Sequence, residues 1–291
     1  MRILRATHLG MCFGVRDAIA LALRQPGPVT ILGDLVHNES VLQNLRSQGV
    51  KTEHQVAHVV TPTVMITAHG ASQKTMNRIR DRGLGVVEAT CPLVQVAHRA
   101  VAELVAHGFH PIVIGRKDHV EVRGLTEDLA QFDVVLTEED VAGLRARPRL
   151  GIAAQTTQPI DKVHRLVSLI RQRFPESEVR FVDTVCQPTK QRQLAAIELA
   201  QQSEVVIVVG GAHSNNTHEL VATCGRHCGR VHHVQSADDL RADWFAGTAT
   251  VGITAGTSTP DSVIDSVEGW LNDFAQFQEK LARHHVAESA A

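Results

Sequence analysis

The sequence predicts an α/β protein built as three small lobes with mostly parallel sheets. Three observations carry this. Short runs of Val and Ile without polar alternation, such as VVIVV at 205–209, read as strands buried on both faces. Helix-period segments of about 10 to 15 residues separate them, which is the rhythm of βαβ units. Three stretches, 1–12, 85–91 and 179–186, each form an apolar strand that ends in a cysteine and leads into a helix.

Taken in order, VTILG at 29–33 is a strand, and VLQNLRSQG after DLVHNES is helical. TVMITAHGAS at 63–72 leads into QKTMNRIRDRG, where Ser72 starts a helix and Gly83 ends it. GVVEATC at 85–91 leads into PLVQVAHRAVAELVAHG. HPIVIG at 110–115, LGIAAQTTQ at 150–158, VRFVDTVC at 179–186, EVVIVVGG at 204–211 and TVGITAG at 250–256 repeat the strand pattern. Asp161 is placed to cap a helix whose Val163, Leu166, Val167 and Ile170 share one face. SVIDSVEGWLNDFAQF is amphipathic, and RHHVAESAA after it reads as a frayed tail. The expected lobes are 13–91, 92–184 and 185–280, the last completed by strand 1–12.

Composition narrows the function. Lys plus Arg is 29 and Asp plus Glu is 31, a net charge of −2, so no broad basic field favours nucleic acid. Aromatics are 3% with no Tyr, which argues against stacking on bases. No apolar run approaches the roughly 20 residues of a membrane span, and the N-terminus lacks a signal core, so the chain reads as cytoplasmic with no membrane partner. The glycine-rich dinucleotide motif, the phosphate loop, the zinc-protease pair and the nucleophile elbow are each broken at a defining position.

The polar groups gather at strand ends, where open α/β sheets bind ligands. Each third of the chain has two such loops besides its cysteine: VHN at 36–38 and AHG at 68–70, HVEV at 119–122 and QTT at 155–157, HSNNT at 213–217 and TAGTST at 254–259. Cys12, Cys91 and Cys186 are far apart in sequence, and no Cys-x-x-Cys occurs. Converging, they can hold three irons of a [4Fe–4S] cluster and leave the fourth open to a substrate oxygen; zinc is the alternative. His37, His69 and His119 at one focus are donors for a phosphate, joined by Thr156, Thr157, Ser214, Asn216 and Ser258. Cys224 and Cys228 fall with Leu220, Val221 and His227 on one stripe of a helix and read as core.

HLGMCFGVRDAI at 8–19, VHN, AHG, ATCPLVQVAH at 89–98, HVEV, QTT, DTVCQPTKQRQ at 183–193, HSNNT and GITAGTSTPD at 252–261 together resemble the LytB/IspH family of 4-hydroxy-3-methylbut-2-enyl diphosphate reductases, over residues 1 to 275. The resemblance implies three lobes in pseudo-threefold arrangement around a central [4Fe–4S] cluster with Cys12, Cys91 and Cys186 as ligands. It implies His37, His69 and His119 as diphosphate ligands, Glu121 as proton donor with Thr156 assisting, and Ser214, Asn216 and Ser258 as further substrate contacts. The implied reaction removes an allylic hydroxyl with two electrons and two protons, giving isopentenyl and dimethylallyl diphosphate in the last step of the non-mevalonate pathway. A ferredoxin or flavodoxin is the implied electron donor.

The chain departs from the family pattern at Val120, where proline is usual, at Asp118, at Val15-Arg16-Asp17 and at Asn215, where a second serine is common and where the amide can still donate. Val120 is expected to loosen the loop that aims Glu121. His119 and Glu121 are expected to face one pocket from an extended stretch. A quinolinate-synthase-like iron–sulfur dehydratase and a non-enzymatic iron–sulfur sensor stand as alternatives. The first calls for Arg clamps that these loops lack, and the second leaves the histidines and Glu121 without purpose.

Overall fold

The computed structural model describes residues 1–289, with side chains through Leu281. Strand β1 (Arg2–Arg5) leads through Cys12 to α1 (Phe13–Leu23). There follow β2 (Val29–Leu32), α2 (Glu39–Ser47), β3 (Lys51–Glu53), β4 (Thr63–Ile66), α3 (Gln73–Asp81) and β5 (Gly85–Glu88). Helix α4 (Pro92–Ala106) then enters β6 (His110–Ile114), α5 (Val120–Thr126), β7 (Asp133–Val135), α6 (Glu138–Gly143), β8 (Arg149–Ala154), α7 (Ile160–Arg173) and β9 (Glu178–Phe181). Last come α8 (Gln187–Gln201), β10 (Val205–Val209), α9 (Asn215–Gly225), β11 (Val231–Val234), β12 (Thr250–Ala255) and α10 (Asp261–Ser289).

The strands form three four-stranded sheets, ordered β3-β2-β4-β5, β7-β6-β8-β9 and β11-β10-β12-β1. Every pair is parallel. Each sheet is therefore wound second–first–third–fourth, and the third sheet takes its fourth strand from the start of the chain, with Arg2 opposite Thr250. These are the three parallel-sheet lobes that the sequence predicts. The backbone divides into two compact units, Met1–Cys12 with Gln191–Ala291, and Phe13–Lys190. The second unit holds the first two sheets.

Packing explains the unbroken apolar runs. Val205, Ile207 and Val209 of β10 join Ile264, Val267 and Leu271 of α10 in one core. Val206 and Val208 between them join Ala196 and Leu199 of α8 and Leu220 of α9 in another. Alternate residues of one strand thus face opposite helix layers, and each buried Val or Ile contributes roughly 1.5–3 kcal/mol. The second sheet repeats this, with Ile112 and Ile114 facing α7 and Val113 facing α4.

Several expectations need correction. HVEV is no extended stretch: His119 is the N-cap of α5, and Val120 opens the helix instead of loosening a loop. Val120 takes a first-turn position, where proline is favoured for its φ but not required. Pro159, not Asp161, caps α7, and Asp161 sits in the first turn, where it complements the helix dipole. Ser72 does cap α3, accepting the Thr75 N–H at 3.0 Å. Helix α9 stops at Gly225, so the stripe through His227 and Cys228 is broken: His227 is exposed while Cys228 is buried. The stretch read as a frayed tail is helical through Ser289, and Ala290 and Ala291 lie outside the described residues.

Candidate functional site

The shared winding puts corresponding loops in corresponding places. The loop after the first-wound strand ends in a helix cap in each sheet: Asn38 for α2, His119 for α5, Ser214 for α9. Each of the three dispersed cysteines follows the fourth strand and immediately precedes a helix. Its N–H bonds to the loop after the third strand of the same sheet, Cys91 to Ala68 O, Cys186 to Thr156 O and Cys12 to Thr257 O, each at 3.0 Å. The internal repeat is therefore a repeat of hydrogen bonding as well as of strand order.

In the unit Phe13–Lys190, the rings of His37, His69 and His119 form a triangle. Their centroids lie 4.7 Å apart for His37–His69, 5.3 Å for His37–His119 and 5.5 Å for His69–His119. One nitrogen from each comes within 4.8 Å of the others. Burial and then the neighbouring imidazoles push the His69 pKa well below its usual value. Burial, His37 and the cations of Arg116 and Arg123 push His119 down to about 3. These two rings are thus neutral at pH 7. His119 accepts the Glu121 N–H at Nδ1, so its proton sits on Nε2 as a donor. His69 Nδ1 is buried and bonds nothing among the described residues.

One helical turn away, Glu121 is 1% exposed. Its Oε1 accepts the Thr156 N–H at 2.6 Å, and its Oε2 accepts the Thr156 hydroxyl at 3.0 Å. Burial raises the carboxyl pKa to about 7, while both Thr156 bonds oppose the rise. The carboxyl group can therefore hold or release a proton near neutrality. Burial is the only cause that raises it.

The chemistry of the three cysteines fits a thiolate-bound metal cluster. None of the five cysteines forms a disulfide, and Cys12, Cys91 and Cys186 are partly exposed. Each stands immediately ahead of a helix. Gly14 lies against Cys91: a Cβ at Gly14 would sit 2.5 Å from Cys91 Sγ, so any side chain there collides with that sulfur. Cys186 Sγ lies 3.1 Å from the Thr189 hydroxyl. Cys224 and Cys228 pack in the third lobe's core as expected, and burial pushes the Cys224 thiol up to about 12.

In the other unit, Asn216 Oδ1 accepts the Thr257 N–H at 3.0 Å, which joins α9 to the loop carrying Ser258 and bonded to Cys12. Ser214 Oγ accepts the Thr217 N–H at 3.3 Å. The side-chain nitrogens of Asn215 and Asn216 are buried and bond nothing among the described residues. Buried donors of this kind cost roughly 1–3 kcal/mol each unless an acceptor reaches them. Sequence reasoning missed three residues here. Gly14, Thr189 and Arg192 all lie in stretches noted for their cysteines, yet only structure reveals what they do. Arg192 donates to Gly10 O at 3.0 and 2.8 Å and so fixes the turn ahead of Cys12.

A family model described as LytB protein matches residues 3–272. The chain belongs to the LytB family. A relative from Pelobacter propionicus, "4-hydroxy-3-methylbut-2-enyl diphosphate reductase", is 35% identical over 94% of this chain and 98% of its own length. Among solved structures, the Plasmodium falciparum E-1-hydroxy-2-methyl-but-2-enyl-4-diphosphate reductase superposes with a TM-score of 0.85 at 26% identity, covering 91% of this chain and 86% of its own. A second, described as the terminal enzyme of the non-mevalonate pathway, is 34% identical with a TM-score of 0.67, covering 94% and 100%. This LytB chain has no helix among its described residues long and apolar enough to cross a membrane.

Proposed function

We infer that the chain reduces 4-hydroxy-3-methylbut-2-enyl diphosphate to isopentenyl and dimethylallyl diphosphate. The observation that carries this reading is the pairing of a three-histidine cluster, in which burial keeps His69 and His119 neutral, with a buried Glu121 carboxyl whose pKa is about 7. The first is a polyanion seat and the second a proton source, which is what the relatives' named substrate needs.

Cys12, Cys91 and Cys186 would hold a [4Fe–4S] cluster. Such a cluster supplies electrons singly and offers one open, Lewis-acidic iron. The remaining work falls to side chains. His37, His69 and His119 bind the diphosphate, with His119 donating from Nε2. Ser214, Asn215, Asn216 and Ser258 contribute neutral donors to the same anion. Glu121 delivers a proton from its carboxyl to the departing oxygen, turning hydroxide into water. Thr156 holds both carboxyl oxygens and aims them. Overall, two electrons and two protons enter, the allylic C–O bond breaks, and water leaves. The electrons come from a ferredoxin or flavodoxin, and the enzyme works in the cytoplasm. The lobes proposed are 13–91, 92–184 and 185–280, with 1–12 completing the third; the three separate sheets support this reading.

Anaerobically purified protein, mixed with a chemical reductant and the allylic diphosphate, should release both products. Cluster-loaded protein that leaves the substrate intact would sink the reading.

A further inference from the structure

The loop carrying His69 and the helix carrying His119 and Glu121 are tied together at their far ends. Ser72, three residues beyond His69, caps α3 and also hydrogen-bonds through its hydroxyl to the Glu127 carboxylate. Thr75 Oγ1 donates to Glu127 Oε2 at 3.1 Å, and Arg78 lies 3.0 Å from Oε1. Lys74 Nζ donates to Glu127 O at 2.6 Å. Asp128 takes the next two backbone donors of the helix, Gln73 N–H at 2.7 Å and Lys74 N–H at 2.9 Å. Helix α3 has no acidic residue in its own first turn, so Asp128 supplies the charge its N-terminus favours.

Glu127 is the C-cap of α5, the helix that His119 caps at the other end. Seven helical residues make a strut about 10 Å long. A spacer opposes the tie. His98 of α4 packs against both elements: a Cβ at Gly70 would sit 3.0 Å from its Nε2, and one at Gly124 would sit 3.5 Å from its ring. The His69 loop and α5 are thus drawn together by Glu127 and Asp128 and kept apart by one imidazole.

We propose that Glu127 and Asp128, working against His98, are positioning residues that fix the separation of His69 from His119 and so set the affinity for a diphosphate group. This rests on reading the three histidines as the diphosphate seat. Two rings 5.5 Å apart repel as they gain charge around an anion, and an untied loop would relieve that repulsion by moving away. The ion pair with Arg78 contributes little, because Arg78 is 60% exposed and borders a cavity of about 790 Å³. The grip comes from carboxylates on helix N–H groups and hydroxyls.

The test is calorimetric titration of cluster-loaded protein with inorganic diphosphate, alongside thermal unfolding. In the double variant Glu127→Ala/Asp128→Ala, the dissociation constant should rise about tenfold. Glu127→Gln/Asp128→Asn keeps the side-chain shape and one acceptor oxygen at each position, and should lose less affinity than the double alanine variant. Asp128→Ala alone, which leaves the Ser72–Glu127 bond intact, should give an intermediate loss if the double variant does not fold. A merely structural tie would lower the unfolding temperature and leave the dissociation constant alone, and that result overturns the proposal. His37→Ala separates the two layers of the argument. If it abolishes binding while the alanine variants bind like wild type, the histidine seat stands and the positioning role falls. If wild type itself fails to bind diphosphate, the seat falls and the positioning role goes with it.

Discussion

The backbone N–H of Glu121 donates to Nδ1 of His119 across 3.2 Å, so one turn of helix carries both a candidate anion donor and a candidate proton donor. Their ionisation runs in opposite directions. Burial holds the His119 ring neutral down to about pH 3 and keeps the Glu121 carboxyl protonated up to about pH 7. Both side chains are uncharged in slightly acidic solution, and an arriving diphosphate meets neutral donors.

Glu121→Gln should leave diphosphate binding unchanged while turnover falls about 10²-fold or more, because an amide has no labile proton to give. The same change should alter stability with a definite sign. The folded carboxyl keeps its proton up to about pH 7, whereas the unfolded one loses it near 4.5, so wild-type stability declines as pH rises through that window. Above pH 7 the glutamine variant should be more stable, by on the order of 3 kcal/mol. Denaturant unfolding at pH 5 and pH 8 checks this. An equal pH slope in the two proteins would contradict the buried acid.

Diphosphate binding should take up protons. His69 and His119 are held neutral mainly by burial, and a polyanion beside them favours their charged forms. Their lowered values also mean that the ligand-free fold loses stability as pH falls below 6.5, the ordinary histidine value. The rise in unfolding temperature on adding diphosphate should therefore be larger at pH 6 than at pH 8. His69→Ala should weaken binding roughly tenfold to a hundredfold. Titration in buffers of different ionisation enthalpy measures the protons directly.

Serine at position 12, 91 or 186 should bleach the brown anaerobic protein, whereas Cys224→Ser and Cys228→Ser should keep its colour. The Cys224 thiol, pushed to about 12 in the core, is no thiolate at neutral pH. Loss of iron from Cys224→Ser with retention in Cys186→Ser would reverse the assignment.

Gly14→Ala is a sharper probe. Inside α1, replacing glycine by alanine ordinarily stabilises by about 0.5–1 kcal/mol. Here the new methyl group meets Cys91 Sγ at 2.5 Å. The variant should fold and yet bind less than half the wild-type iron, as read by chemical iron analysis.

Much of this was legible in the chain. Buried parallel strands advertise themselves as unbroken Val and Ile, and each cysteine marks the same turn of the same winding. Strands β3, β7 and β11 were missed together, and for one reason. KTE, DVV and VHHV are short, and each occupies the same outer edge of its sheet. They form strands because β2, β6 and β10 offer an open edge, a tertiary fact with no local signature. HVEV misled in the opposite sense. Two β-branched residues and a following Gly124 disfavour helix, but Val122 and Leu125 bury one face of α5 and His119 caps it. The contacts of Gly14, His98 and Glu127 lie beyond any spacing rule, since each partner comes from a different stretch of chain.

The pairing of β1 with β12 orders events during synthesis. Arg2 leaves the ribosome 248 residues before its partner Thr250. At roughly 5–20 residues per second the first strand waits on the order of 10 to 50 s for its place. Until then the N–H of Cys12 has no Thr257 carbonyl to bond, although the first two sheets can already form around Cys91 and Cys186. A nascent chain would therefore expose two ordered thiols and one unplaced one, and any site that needs all three is complete only once the stretch from β12 to Thr257 has been made.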